Sequence, residues 1–162
     1  MIVVSDTSPV TYLVQINCLH LLSLMYKKII IPNQVFDELM NLHHREEDAL
    51  QAALRQGWVE VHEVTDEILY LSLLGEIDPG ESAAITLAME KHADLLLIDE
   101  RKGSQKAALF NIPAKGILGV LAEAKKQQLI PSFNKKLTEL TTVTSFRISK
   151  HLLSQLINTF ND

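Results

Sequence analysis

The sequence predicts an α/β protein, a parallel sheet covered by helices on both faces, and three observations carry that prediction. Short, mostly apolar runs recur at residues 2–4, 28–31, 59–61, 95–98 and 112–114, and stretches of helical periodicity separate them. A strand that is apolar on both sides must be buried on both, which is the condition of a parallel sheet between helical layers. Two of the runs, 2–4 and 95–98, lead into an acid, Asp6 and Asp99. At 162 residues the chain is of one-domain length, and a composition 47% hydrophobic and 22% charged excludes a disordered one. No repeat, linker or low-complexity stretch interrupts it.

The first run is β-branched and leads to Ser8-Pro9, which predicts a helix with the hydroxyl at N-cap and the proline at N1. The second run is closed by Pro32. Residues 33–41 then place Val35, Phe36, Leu39 and Met40 on one helical side. Helical character resumes over 46–56 and stops at Gly57, before the third run. Asp78-Pro79-Gly80-Glu81 opens another helix, which continues through Ala83, Ala84, Leu87 and Ala88 to Lys91. The spacing of Asp78 and Glu81 fits a capping box. Residues 95–98, all aliphatic, form the clearest strand. Helices near 104–110, 118–128, 132–141 and 150–160 complete the chain around the short run at 112–114.

The formal charge is −5, and it conceals a division. Residues 1–100 hold 5 Lys and Arg against 17 Asp and Glu, whereas residues 101–162 hold 10 against 3. A uniformly acidic chain is a poor partner for nucleic acid; an acidic half followed by a basic half is not. Cys18 is the only cysteine, which excludes an intrachain disulfide, and its apolar surroundings predict a plain buried thiol. The uncharged stretch 7–26 carries Ser8, Pro9, Thr11, Gln15, Asn17 and His20, too many polar groups for a span through lipid. It also lacks the basic start of a signal peptide, so a cytoplasmic location is expected.

In parallel sheets, ligands bind beyond the carboxyl ends of the strands, where strand order reverses. If strands 2–4 and 95–98 are neighbours, Asp6 and Asp99 converge there, and their mutual repulsion calls for a divalent cation such as Mg²⁺. Each acid also has an ordinary reading. A strand-end aspartate commonly caps a helix, Glu81 can serve only the capping box, and Asp99 has Arg101 nearby as an ion partner. Asp37 and Glu38 flank the apolar stripe of their helix about equally, so periodicity does not choose between them.

Taken in order, four segments resemble the PIN-domain nucleases: Asp6 with Thr7-Ser8, Glu38 in Val35-Phe36-Asp37-Glu38-Leu39, Glu81 in Pro79-Gly80-Glu81, and Asp99 in Leu97-Ile98-Asp99-Glu100-Arg101. The likeness covers nearly the whole chain. Segments 97–103, 116–121 and 146–149 are similar to those of prokaryotic PIN-like proteins grouped as uncharacterised nucleic-acid-binding proteins. The resemblance implies a three-layer α/β/α sandwich around a central parallel sheet of about four to five strands. It implies a single domain over 1–162, with a helical C-terminal extension from about 131.

It further implies a Mg²⁺- or Mn²⁺-dependent endoribonuclease of the VapC type, the toxin of a toxin–antitoxin pair. By the same likeness Asp6, Glu38, Glu81 and Asp99 form the catalytic cluster. Asp6, Glu81 and Asp99 then hold the metal, with Glu38 acting through water and Thr7 or Ser8 orienting water or Asp6. Glu100 stands where the subfamily often has aspartate and is held as auxiliary. Ser104 replaces a frequent arginine, one cation fewer beside the site. A small antitoxin partner and a homodimer are implied as well.

The expected reaction is phosphodiester hydrolysis by metal-activated water, which needs no nucleophilic side chain. An acidic pocket repels RNA unless cations border it. Arg101, Lys102, Lys106 and Lys115 follow the fourth acid closely enough to contact backbone phosphates. Lys125-Lys126 and Lys135-Lys136 read as solvated helix faces, and His43-His44 as surface residues in a charged loop. Aromatic residues make up 6% of the chain, so readout by base stacking is not expected. Competing classes fit less well. A phosphotransfer receiver wants an acid pair near strand one, and a haloacid-dehalogenase-like phosphatase wants Asp-x-Asp where Thr7-Ser8 follow Asp6. A PIN fold kept as a non-catalytic RNA- or protein-binding module is the remaining alternative.

Overall fold

The computed structural model describes residues 1–42 and 44–162; His43, one of the two histidines expected at the surface, lies outside the described residues. Along the chain come β1 (Val3–Ser5), α1 (Thr7–Gln15), α2 (His20–Tyr26), β2 (Ile29–Pro32), α3 (Asn33–Met40), α4 (His44–Arg55), β3 (Val59–His62) and α5 (Glu67–Leu74). There follow α6 (Pro79–Glu90), β4 (Leu95–Leu97), α7 (Arg101–Leu109), β5 (Ala114–Lys115), α8 (Ile117–Lys126), α9 (Phe133–Val143) and α10 (Lys150–Phe160).

The strands form one parallel sheet in the order β3-β2-β1-β4-β5. Val3, Val4 and Ser5 pair with Leu95, Leu96 and Leu97, and Val4 also pairs with Ile30. The sheet grows from β1 to one side through β2 and β3, then to the other through β4 and β5. Its order therefore reverses between β1 and β4, the two strands that run into Asp6 and Asp99.

Successive strand residues face opposite sides of a sheet. Val3, Ile29, Ile31, Leu95 and Leu97 join one core with Leu13, Leu22, Val35, Leu50, Val120 and Phe133, supplied by α1, α2, α3, α4, α8 and α9. Val4, Leu96 and Ile98 join a second with Leu73, Ile85, Leu87 and Ala107, supplied by α5, α6 and α7. The result is a three-layer α/β/α sandwich. Every residue of β1 and β4 is buried, and full burial of a Val or Leu contributes about 1.5–3 kcal/mol. The strands that carry the site are thus among the best-anchored parts of the molecule. Helix α6 is buried from Gly80 through Ala88, where alanines let it lie close to the sheet and to α3 and α5.

Several predicted boundaries move, each for a physical reason. Helix α1 begins at Thr7 with Asp6 in the N-cap position, two residues before the start suggested by Ser8-Pro9. Any first-turn residue leaves its amide unbonded within the helix, so Pro9 is as acceptable at N3 as at N1. Helix α7 begins at Arg101 rather than near 104, because Gly103 is buried inside it against Ile98 instead of ending it. The last strand is Ala114–Lys115, shifted from 112–114 by the bonds Leu96 N to Pro113 O and Ile98 N to Lys115 O. Helices α2 and α5 have no counterpart among the predicted elements. Helix α5 is apolar on nearly all sides and lacks a 3.6-residue stripe; Asp66 starts it by accepting from Leu69 N at 3.0 Å.

Two surface expectations change as well. Lys125 pairs with Asp162 and Lys136 with Glu139, each at 2.9 Å, so neither is simply solvated. Cys18 is buried as expected. Among the described residues, no helix is long and apolar enough to cross a membrane.

Candidate active site

Asp6 follows β1 directly, and its amide donates to Leu97 O of β4 at 2.9 Å, which ties the two strand ends together. It occupies the N-cap position of α1, yet its carboxylate makes no capping bond. The side chain is therefore available to the site although only 3% of the residue is exposed. Burial pushes its carboxyl up to about 7; the Thr7 amide opposes this, while Asp78, Glu38 and Asp99 add to it.

Asp99 lies one residue beyond Ile98, at the same edge. Its Oδ1 accepts from Ile117 N, at the start of α8, at 2.7 Å, whereas its Oδ2 is buried without a partner. A side chain on Gly116 would meet Oδ1 at 2.7 Å, so the approach of Asp99 to α8 requires glycine there. Burial raises the Asp99 carboxyl to about 6, with the Ile117 amide opposing and Glu100 adding.

Glu81 is in the first turn of α6, where a capping box predicts that its carboxylate bonds back to the N-cap. Half of that box forms: Asp78 Oδ1 accepts from Glu81 N at 2.8 Å. The Glu81 side chain instead turns toward α7, where a side chain on Gly103 would meet its Oε2 at 3.4 Å. Burial, then the neighbouring charges of Asp78 and Asp6, push Glu81 up to about 8.

The choice between Asp37 and Glu38 is made by the fold: Asp37 is exposed, whereas Glu38 is half-buried and accepts a hydrogen bond from the Thr7 hydroxyl. Thr7 thus orients Glu38 rather than Asp6. The Glu38 carboxylate also lies against Gly80, where a side chain would meet Oε1 at 2.6 Å. Burial raises its pKa, with the Thr7 hydroxyl opposing.

Four acids from four elements thus surround the carboxyl edge of β1 and β4. Sequence reasoning missed a fifth, Asp78, read only as a helix cap. Its charge bears on Asp6, Glu38 and Glu81 alike. Its position three residues before Glu81, in the same helix start, is the signal that could have found it.

The expected cations divide. A cavity of about 700 Å³ beside the acids is lined by Asp78, Glu81, Glu100, Arg101 and Lys102. Exposed Glu100 precedes α7 and makes no side-chain capping bond, and Arg101 and Lys102 are exposed in its first turn. Lys106 also lines the adjoining groove, but it is paired with Glu76 at 2.5 Å. Lys115 packs its stem on Gly119 and carries Nζ to 6.0 Å from the Tyr26 ring centre. Ser8 stands one residue past Thr7 in α1.

The donor set suits a hard divalent cation. All the acids offer oxygen, burial pushes the carboxyls of Asp6, Glu38, Glu81 and Asp99 up, and Asp99 Oδ2 is buried without a partner. Among the described residues, no three acid, histidine or cysteine side chains are gathered closely enough to hold an ion by themselves. Binding by one or two carboxylates with retained waters, the Mg²⁺ manner, is compatible with that spacing.

A parallel sheet with a buried carboxylate cluster at its switch point defines a class of α/β protein whose pocket gathers oxygen donors suited to a cation. The family follows from sequence: a family model described as a PIN domain matches residues 2–162. The chain belongs to the PIN-domain family, whose members are generally nucleases. No curated protein matches it.

Proposed function

We propose that the protein is a divalent-metal-dependent ribonuclease that hydrolyses RNA phosphodiester bonds. The observation that carries this reading is the convergence of Asp6, Glu38, Glu81 and Asp99 around the switch point, three of them with carboxyls raised to about 6–8. Asp6, Glu81 and the free Oδ2 of Asp99 would hold Mg²⁺ or Mn²⁺, one or two of them directly and the rest through its retained waters. When bound, the ion supplies an acidified water and neutralises charge on the scissile phosphate. Glu38, fixed by Thr7 and Gly80, is placed to accept a hydrogen bond from a water on the α3 side. Arg101 and Lys102 bind the backbone by sequence-independent phosphate contacts. Glu100, at the entrance beside them, is an auxiliary acid.

The finer role, a VapC-type toxin with a small antitoxin partner, rests on the resemblance of the ordered acids Asp6, Glu38, Glu81 and Asp99 and their flanks to the PIN-domain nucleases. Growth arrest on induction, relieved by co-expression of a neighbouring short reading frame, tests it. A homodimer belongs to the same reading, and gel filtration with light scattering tests that.

The primary test is RNA cleavage by wild type with Mg²⁺ or Mn²⁺, by the same protein in EDTA, and by Asp6→Asn. Cleavage is expected only with metal. Asp6→Asn is expected to slow it by about a hundredfold, since charge stabilisation of a few kcal/mol is lost. Metal-independent cleavage, or full activity in Asp6→Asn, overturns the mechanism. RNA binding without cleavage under any metal supports the non-catalytic module instead.

A further inference from the structure

The cations that line the cavity at this site stand on one side of it. Arg101 and Lys102 belong to α7, in the layer that packs on Val4, Leu96 and Ile98. Lys106 is neutralised by Glu76, and Lys115 lies on Tyr26. Toward α1 and α8, a strand crossing the acids has Lys115, drawn onto Tyr26, and any cation that the C-terminal segment supplies.

Residues 144–148 run between α9 and α10 with strand-like alternation. Thr144, Phe146 and Ile148 turn inward, and Ser145 and Arg147 are exposed. The inward residues fasten the segment. Thr144 Oγ1 donates to Leu140 O at 2.5 Å and accepts from Phe146 N at 3.0 Å. Phe146 sets its ring edge-on against Tyr12 of α1, with centroids 5.5 Å apart and planes at 82°. Beyond it, α10 is anchored by the stacked rings of Phe160 and Phe133 at 3.8 Å. Asp162 completes the fastening by accepting from Phe133 N and Asn134 N of α9.

Tyr12 lies one turn beyond Ser8 on α1, whose N-cap is Asp6, so this strap packs against the helix that leads out of the site. Burial raises the Tyr12 phenol, Ser145 and Arg147 oppose that shift, and Asp99 and Glu100 add to it, so the hydroxyl feels both the strap and the acid edge. Among the described residues, Arg147 meets no carboxylate at ion-pair distance, and its guanidinium rests 3.4 Å from its neighbour's carbonyl, Phe146 O.

We propose that Arg147, with the Tyr12 hydroxyl, forms a second phosphate-binding subsite, on the α1 face of the acid cluster and across the sheet edge from Arg101 and Lys102. The proposal rests on the nuclease reading and deepens it. An RNA strand is gripped by its backbone on both sides of the acids, and the scissile phosphate is suspended between two cationic borders. Guanidinium suits this position because its fork pairs with two phosphate oxygens and does not lose its charge.

The test is fluorescence anisotropy of a fluorescein-labelled oligouridylate in EDTA, titrated with wild type, Arg147→Ala, Arg147→Lys and Tyr12→Phe over a range of salt. Arg147→Ala is expected to weaken binding about five- to tenfold at low salt and to flatten the slope of log K against log salt by about 0.7, the value of one single-strand phosphate contact. Arg147→Lys keeps the slope and loses part of the affinity; Tyr12→Phe keeps the slope. Unchanged thermal midpoints confirm that the variants fold. Wild-type affinity and slope in Arg147→Ala overturn the subsite. If Asp6→Asn still slows metal-dependent cleavage as expected, that result leaves the nuclease reading standing. Wild type that neither binds nor cleaves RNA overturns both.

Discussion

Thr7 donates its hydroxyl hydrogen to Glu38, and Gly80 lets the same carboxylate lie against α6, so one acid of the site is positioned by two uncharged residues. Gly116 does the same for Asp99. Gly80→Ala is expected to separate activity from stability. The new methyl displaces only the end of a flexible side chain, and alanine gains up to about 1 kcal/mol of helix propensity over glycine. The thermal midpoint should hold while cleavage falls about tenfold, a loss of about 1.4 kcal/mol in the transition state. Asp37→Ala and Glu38→Ala form the matching pair: the first is expected to leave cleavage unchanged, the second to lower it. A wheel drawn on residues 33–41 cannot make that distinction, because both acids flank the stripe. The deciding contacts come from residues 7 and 80, far away in sequence.

At the scale of elements, alternation and caps explain most of what was legible. Residues 95–98 are aliphatic throughout and become β4 with Ile98 beyond it, and Asp78-Pro79-Gly80-Glu81 opens α6 as its capping residues predict. Helix α5 was not legible, since an octet apolar on nearly all sides has no stripe to detect, and Ile68 and Leu71 remain 85% and 62% exposed. The C-terminal helix owes its place to a few contacts rather than to burial. None of its residues is fully buried, and Phe160 and Asp162 hold it to α9. Asp162→Ala removes two amide partners and the Lys125 ion pair together. Amide exchange is expected to quicken across 150–160 while the amides of β1 and β4 stay protected, because local opening follows local contacts.

At the scale of the molecule, the acid cluster sets a conflict between folding and charge. In the folded chain Asp6, Glu81 and Asp99 keep their protons to about 7, 8 and 6, well above the ordinary carboxylate range that the unfolded chain has. Between about pH 4 and pH 8 the folded state therefore binds more protons than the unfolded one, and stability falls as pH rises. The metal-free protein is expected to melt at higher temperature at pH 5 than at pH 8. Mn²⁺ should raise the midpoint at pH 8, by the equivalent of about 2.7 kcal/mol at a hundredfold excess over its dissociation constant. A midpoint that rises with pH, or one that ignores Mn²⁺, contradicts the cluster as described.

The sequence by itself determined the layered α/β class, because both-sided apolar strands admit few other environments. It also determined the order of Asp6, Glu38, Glu81 and Asp99, whose flanks carry the family resemblance. Tertiary structure alone decided that β1 and β4 are neighbours, that Glu38 rather than Asp37 turns inward, and that Asp78 joins the acids. It also decided that Lys106 pairs with Glu76 and Lys115 lies on Tyr26, while the strap that carries Arg147 packs against α1. The reason is physical: periodicity reports which way a side chain leaves its own element. Charge compensation depends on what other elements bring within a few ångströms, and nothing in local sequence encodes that distance.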